Sequence, residues 1–545
     1  RIQRLRLAQE AASRAQLRIL AASSRRPGFP AALEELVSEL QAALVDPAAL
    51  EEQAREAGQY ELEIASLYAA YVGIRDELSL HDDHSLAAKT TTALRTGSEG
   101  WGARPVFLYG FDDLTVEQLE LVRELSAHTQ VTVALPWEDR ELLTQARGAL
   151  FAQLRDVRGT SIERLEAESR FTSSATLFEL ERRFGAPAGG DPIENDGGVR
   201  LLASAGELAE VEAVGAEVAR LLSEGTPARE IAVVLRDPRS AGPLYQRVLS
   251  RFGIPVAVQA DLAATRTATG TGLIALLRAA VGRGRAADLL AYLRTPGVAA
   301  PSAVDWFERR LLRGRLRTAD EAWDVWRYKR DNGDRGLPEL GKLREAGSGS
   351  ALLREAGKQA RWIAESAVRH QGAVAGEERA LELRTGAEIE KALAELAELD
   401  LPHSAQDVIA AISALDVPMW RGPTEGRVRV ISPYRARARR VAQMFICSMQ
   451  DGDFPRRDTG GPLLSDEARR ALALPERKKA EIEDRYLLSV CLSRPKERLW
   501  LSWRSADDEG GATSRSPFVD EVRELLAPAL TDGLEERDEA IVAEA

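Results

Sequence analysis

Two cysteines, three methionines and five histidines in 545 residues leave little room for thiol or imidazole chemistry. Cys447 and Cys491 form no CxxC pair, so the chain holds no disulfide framework, no four-thiolate zinc site and no thiol set that ligates a cluster unaided. Their apolar surroundings make both structural thiols. His128, His370 and His403 have no Ser, Cys or acid arrangement that supports nucleophilic catalysis. The run His81-Asp82-Asp83-His84 gathers two imidazoles and two carboxylates, a set able to bind metal, but its place between helical stretches favours a polar loop. No apolar run reaches the roughly 18 to 20 residues of a membrane helix. The chain opens on Arg1 without a secretory signal, and its first methionine is Met419. It therefore reads as a cytoplasmic piece of a longer polypeptide, with no membrane partner. A phosphate-cradling GxxxxGK(S/T) loop is also missing. Thr267–Gly272, TATGTG, has two glycines but no lysine, and reads as a turn that starts a helix.

What is present is the profile of a folded chain, 44% hydrophobic and 29% charged. Its length suits three to four domains at roughly 150 residues each. A net charge of −12 argues against coating nucleic acid by bulk charge, so any such contact must be local. From Arg1 to about Leu94 the pattern is helical, with Leu33, Leu36, Leu40 and Leu44 on one stripe. Strand-like PVFLYGF (Pro105–Phe111), a Thr115-capped helix and strand-like VTVALP (Val131–Pro136) follow, the repeating unit of a parallel sheet. After a Gly- and Pro-rich linker (Gly185–Gly198), strands are expected at Val199–Ser204, Ile231–Arg236 and Gly253–Val258. About 150 residues of helix come next, and strands resume at Arg427–Ser432, Met444–Met449 and Arg498–Trp503. An α/β fold whose sheet is interrupted by a helical insertion explains this order.

Phe107–Leu125, FLYGFDDLTVEQLELVREL, resembles the Walker B strand and following helix of UvrD-like superfamily 1 DNA helicases. Tyr109 and Gly110 stand where that family has its Mg²⁺-holding Asp and water-activating Glu, while Phe111 and Asp113 match. Neither Tyr nor Gly can hold Mg²⁺ strongly or take a proton from water. Arg427–Pro455 is similar to motif V and its exit strand. There Ser432, Tyr434, Arg437 and Arg440 replace the family's Thr, His, Lys and Glu, and Gly452 and Phe454-Pro455 match the exit turn. Glu483–Trp503 resembles motif VI and places Arg494 on the family's γ-phosphate arginine, whereas the second phosphate arginine is not recognisable. Taken alone, Arg494 is equally a cation placed at a helix C-terminus.

This order of segments, with Leu463–Arg470 and Asp507–Val522, resembles the AddB-type family of bacterial ATP-dependent helicase/deoxyribonuclease subunits. The resemblance implies RecA-like (P-loop NTPase-type) parallel sheets of a UvrD-like helicase, with large all-helical insertions. It divides the chain into a 1B-like helical insertion (1–98), the end of a 1A-like RecA domain (99–150) and a connecting segment and linker (151–198). The first part of a 2A-like RecA domain (199–270), a 2B-like helical insertion (271–425) and the rest of the 2A-like domain with the start of a tail (426–545) follow. A Walker A-like loop is expected upstream. Downstream, past the acidic tail Ile541–Ala545, the family implies a PD-(D/E)XK nuclease with an iron–sulfur cluster.

Two segments are candidates for DNA contact. Arg427, Arg429, Arg435, Arg437, Arg439 and Arg440 carry a local charge of about +6 without an acid, suited to phosphates; a solvated strand face is the other reading for Arg427 and Arg429, which should alternate outward. In Asp305–Arg330, Trp306, Arg309 and Arg313 belong to a segment that interleaves aromatics with arginines, as single-strand binders do. Trp323 and Trp326, three apart, favour a core stripe instead. The function these features imply is a catalytically degenerate, non-motor subunit of a DNA end-processing complex in double-strand break repair. It would bind single-stranded DNA and duplex ends beside an AddA-type motor in the bacterial cytoplasm, at the nucleoid. No intact ATPase or nuclease site and no metal site is expected in these residues, ATP and Mg²⁺ being implied only for the family or complex. The alternatives are an active helicase with a divergent ATP site and a helical protein-interaction scaffold without DNA binding.

Overall fold

The computed structural model describes residues 1–526 except 98–103, 139, 166–170, 187–189, 282–283, 331–335, 370–375, 459, 462, 475–478 and 508. His370, the side chains of Lys329 and Arg330, part of the expected linker and the tail Ile541–Ala545 lie outside the described residues.

Strands β1 (Val106–Leu108) and β2 (Val131–Val133) form a two-stranded parallel sheet on either side of helix Val116–His128. Six further strands make one larger parallel sheet: β3 (Val199–Ser204), β4 (Ile231–Leu235), β5 (Val256–Val258), β8 (Val428–Ile431), β9 (Val441–Cys447) and β10 (Pro495–Arg504), in the order β3-β10-β9-β4-β8-β5. The short strands β6 (Asp261–Ala263) and β7 (Asp416–Pro418) pair antiparallel between them in sequence. Every residue of β4 and β9 is buried. Helices cover a parallel sheet on both faces, which is why these strands read as continuous apolar runs rather than alternations. The same fact corrects the expected outward placement of Arg429, which is 9% exposed in a strand buried throughout, whereas Arg427 precedes that strand and is partly exposed.

The interruption of this sheet has a simple geometry. The chain leaves through β6, builds eight helices among the described residues between Ala268 and Ser413, and returns through β7 directly beside its point of exit. Leu276, Phe307, Leu353, Ile363 and Leu393 are among the residues of the insertion's own core. Gly386 lets helices Gly349–Arg369 and Gly376–Ala397 approach closely, since a Cβ there would stand 2.7 Å from that of Ala364. The TATGTG segment starts the first of these helices. Thr267 caps it, and the Glu382 carboxylate accepts from the Ala268 and Thr269 N–H groups at 2.9 and 2.8 Å. A protein carboxylate thus fills the anion position at this helix start.

The N-terminal helices form a separate core around Leu33, Leu36 and Leu40. Leu44 falls off the expected stripe: its helix ends at Ala42, and Leu44 turns into a positive φ of 56° and is exposed. Leu463, Leu464, Ala468 and Leu472, far along the chain, complete this core. Tyr60 donates to the Leu463 carbonyl at 2.6 Å, and Arg469 pairs with Glu39 at 2.5 Å.

One buried acid ties the sheet to a covering helix. Glu210, 1% exposed, accepts from the Ser448 N–H at 2.7 Å and the Ser502 hydroxyl at 2.6 Å, while its second oxygen is buried without a partner. Burial raises its pKa against the two hydrogen bonds. The folded state therefore binds this proton more tightly than the unfolded state. The resulting stabilisation is present in full below the unfolded pKa and drains away as pH rises through the folded one. Urea unfolding midpoints of wild type should fall relative to Glu210→Gln as pH rises above the ordinary glutamate pKa of about 4.3, and parallel pH profiles would refute the raised pKa.

Candidate functional site

The loop after β1 and helix Ala480–Leu492 face each other across the junction of the small and large sheets. Asp112 is 4% exposed and receives Arg437 on one carboxylate oxygen. Its other oxygen lies 3.9 Å from the Arg147 guanidinium, which is 1% exposed. Arg147 donates to both oxygens of Glu483 at 2.8 and 2.9 Å and lies 3.9 Å over the Tyr486 ring. Burial opposes the Arg147 charge, but the hydrogen bonds and charge of Glu483 outweigh it and raise its pKa. One residue on, the fully buried Asp484 accepts from Arg236 Nε and from the Arg456 N–H, both at 2.8 Å. A cavity of about 440 Å³ remains, lined by Asp112, Asp113, Tyr434, Arg437, Arg456 and Glu483 among others.

Arg494 follows the same helix. Its Nε donates to the Val490 carbonyl at 3.4 Å, and it forms no ion pair among the described residues. Burial lowers its pKa, and burial followed by the charge of Arg494 lowers that of Arg440. Arg440 also lies 4.4 Å over the Phe171 ring and has no carboxylate partner among the described residues. Tyr109, 75% exposed, and Glu181 interact electrostatically with both arginines, and burial raises the Glu181 pKa. Two half-buried guanidiniums without a carboxylate partner suit an anion. They do not suit a Mg²⁺ complex, because Tyr109 and Gly110 offer no carboxylate and Asp112 is held by Arg437. Cys447 and Cys491 are buried, and burial pushes both thiols up to about 12, so they fit no iron–sulfur cluster.

Comparison with known proteins bears on this junction. The family model described as "ADDB, N-terminal" matches residues 6–187, which include Asp112 and Arg147. Proteins described as the B-type subunit of ATP-dependent helicase/deoxyribonuclease, from Desulforudis audaxviator and Desulforamulus reducens, are each 26% identical over 94% of this chain and 50% of their own length. That of Moorella thermoacetica is 26% identical over 94% of this chain and 51% of its own. The chain is similar to AddB-type subunits over 94% of its length. It spans about half the length of the curated relatives it matches.

The six clustered arginines serve different tasks. Arg427 pairs with Glu377 at 2.6 Å and lies 4.1 Å over Trp420, while Arg429 donates to the Arg229 carbonyl at 2.5 Å. Arg437 and Arg440 face the junction, as described. Arg435 and Arg439 are exposed and make no ion pair among the described residues. In the helical insertion, Trp326 packs edge-on against Phe307 at 5.3 Å and Trp323 lies between Arg327 and Arg344. Trp306 is partly buried against the same core, whereas Arg309 and Arg313 are exposed. In the HDDH run, Asp82 caps helix Asp83–Thr96, and His84 bridges the Glu117 carboxylate at 2.7 Å and the Ser38 hydroxyl at 3.0 Å.

Arg147, Arg236, Glu483 and Asp484 escaped the sequence reading. A signal existed for Asp484: it shares a helical face with Leu487, Leu488 and Cys491, all buried, so a carboxylate there needs a cation. Arg147→Met should destabilise the protein by about 3 to 5 kcal/mol, because Glu483 and Asp112 keep their burial and lose a counterion. Adding Glu483→Leu should recover much of that loss in urea unfolding, and strictly additive losses would refute the coupling.

Proposed function

We propose that this chain is the helicase-like, non-motor part of an AddB-type subunit in an ATP-dependent helicase/nuclease complex that processes double-strand DNA ends for recombinational repair. The two parallel sheets would be the remains of two RecA-like domains, with residues 1–98 and 271–425 as their insertions. The observation that carries this reading is the junction itself. Where a motor needs two acids to hold Mg²⁺ and activate water, the chain has Tyr109 and Gly110, and the adjacent Asp112 is occupied by Arg437. The two sides of the junction are joined by Asp112–Arg437 and Arg147–Glu483, with Asp484 anchoring the helix beneath. A cleft that must open and close in each turnover is poorly served by buried ion pairs across it.

In this reading the chain holds and guides unwound single-stranded DNA, and an AddA-type partner supplies the motor. Exposed Arg435 and Arg439, next to the junction, are the phosphate contacts on that path. Any nuclease domain and iron–sulfur cluster would belong to parts of the protein outside these residues. Arg494 and Arg440 would retain an affinity for phosphate without hydrolysis.

Purified chain should show no ATPase activity above background with oligothymidine present; a DNA-stimulated rate abolished by Arg494→Ala would replace this reading with an active helicase. Wild type should bind oligothymidine with an affinity that falls with salt, and Arg435→Glu/Arg439→Glu should flatten the log–log slope by about one. Absence of single-strand binding would remove the DNA-guiding role.

A further inference from the structure

Helix Pro301–Gly314 buries Ala303, Val304, Phe307 and Leu311 against the core of the insertion. Its other face turns Arg309, Arg310 and Arg313 outward, and the chain beyond it adds Arg315 and Arg317, all exposed. Arg315 is in the left-handed region, φ 50°, and ends the helix, so the chain turns away immediately after the last helical arginine. None of the five guanidiniums forms an ion pair among the described residues. The acids beside them leave them largely unneutralised: Glu308 binds Arg294 at 2.6 Å, Glu321 accepts the Arg317 and Thr318 N–H groups at 3.0 Å, and Asp305, one turn before Arg309, forms no ion pair with it. A chain of net charge −12 thus presents five exposed arginines within nine residues, none of them in an ion pair among the described residues.

The sequence pattern there suggested a single-strand site, cations for phosphates and aromatics for bases. The structure takes most of the aromatics out of reach, leaving Tyr328 exposed and Trp306 partly exposed on the arginine face itself. Phe307 and Trp326 are buried against each other, Trp323 is covered by two arginines, and Trp306 is partly buried against the same core. What remains is a convex helical surface carrying arginines, with Arg309 and Arg313 about 6 Å apart along the axis at 1.5 Å per residue. Single-strand binders stack successive bases on several exposed rings, whereas this face carries one partly buried ring, Trp306, among five exposed arginines. A duplex keeps its bases inside and offers only phosphates to such a face.

We infer that the arginine face formed by Arg309, Arg310, Arg313, Arg315 and Arg317 is a contact for the backbone of double-stranded DNA, separate from the single-strand path at the sheet junction. The inference rests on the proposed DNA-processing role and assigns a second kind of DNA to a second surface. The contact is independent of base sequence, since the guanidiniums meet phosphates and no side chain of the face is committed to base edges.

The test uses the full chain with a blunt duplex and an oligothymidine of equal length, each measured by fluorescence anisotropy across a salt series. Arg309→Glu/Arg313→Glu, on a solvent-facing surface, should keep the wild-type melting curve. Its duplex affinity should drop at least about tenfold at low salt, with the log–log slope flattened by close to two, while oligothymidine binding changes by less than about twofold. Arg435→Glu/Arg439→Glu should show the opposite preference. Equal losses for both DNAs, or unchanged duplex binding in the folded Arg309→Glu/Arg313→Glu variant, overturns the inference and leaves the single-strand role standing. Failure of the wild-type chain to bind either DNA overturns the role and the inference together.

Discussion

Helix Ala480–Leu492 carries the constraint on which the two sheets depend. Its second turn holds Glu483 and Asp484 side by side, and the two carboxylates are drawn to opposite partners. Glu483 takes Arg147 from the small-sheet side, and Asp484 takes Arg236 from the end of β4 and the backbone of Arg456 from the turn after β9. Buried charges of this kind are costly to uncouple, because each partner left behind stays desolvated. The helix therefore works as a rivet between layers. Tyr486 adds a flat surface under Arg147, and Leu487, Leu488 and Cys491 seal the helix against the larger sheet.

Beside that rivet, Arg494 and Arg440 lie near each other and near the exposed Tyr109, and Arg440 lies over the Phe171 ring. The electrostatic result is a net positive recess that an anion can relieve. The recess is bordered by Glu181, whose burial favours its neutral form.

Much of the architecture was legible because it rests on local rules. The central strands announced themselves as unbroken apolar runs, and Thr115 with Gln118 forms the capping box expected of a helix start. The resemblance to a helicase frame was legible through the spacing of YGFDD, the G-x-FP turn and the motif-like helix. The charge pairing was not. Arg147 and Glu483 are 336 residues apart, and nothing in one sequence says which of many arginines meets which of many acids. Arg429 was misjudged for a related reason: alternation signals an outward face only when one side of a sheet is open, and β8 is covered on both. In the insertion, the same Trp and Arg residues suit a core with a charged exterior as well as a stacking platform, and only packing separates the two.

The antiparallel pair β6–β7 has a consequence for how such a chain can change over evolutionary time. Asp261 faces Pro418 and Ala263 faces Asp416 across one short ladder, so the eight-helix block begins and ends at adjacent points. To the host sheet, that block is topologically equivalent to a hairpin turn. Its size, surface charge and internal arrangement can drift without altering strand order, and a short loop from Ala263 to Asp416 would close the same gap. The large sheet and its helical outgrowth are thus free to acquire different partners under separate selection, although one continuous chain encodes both.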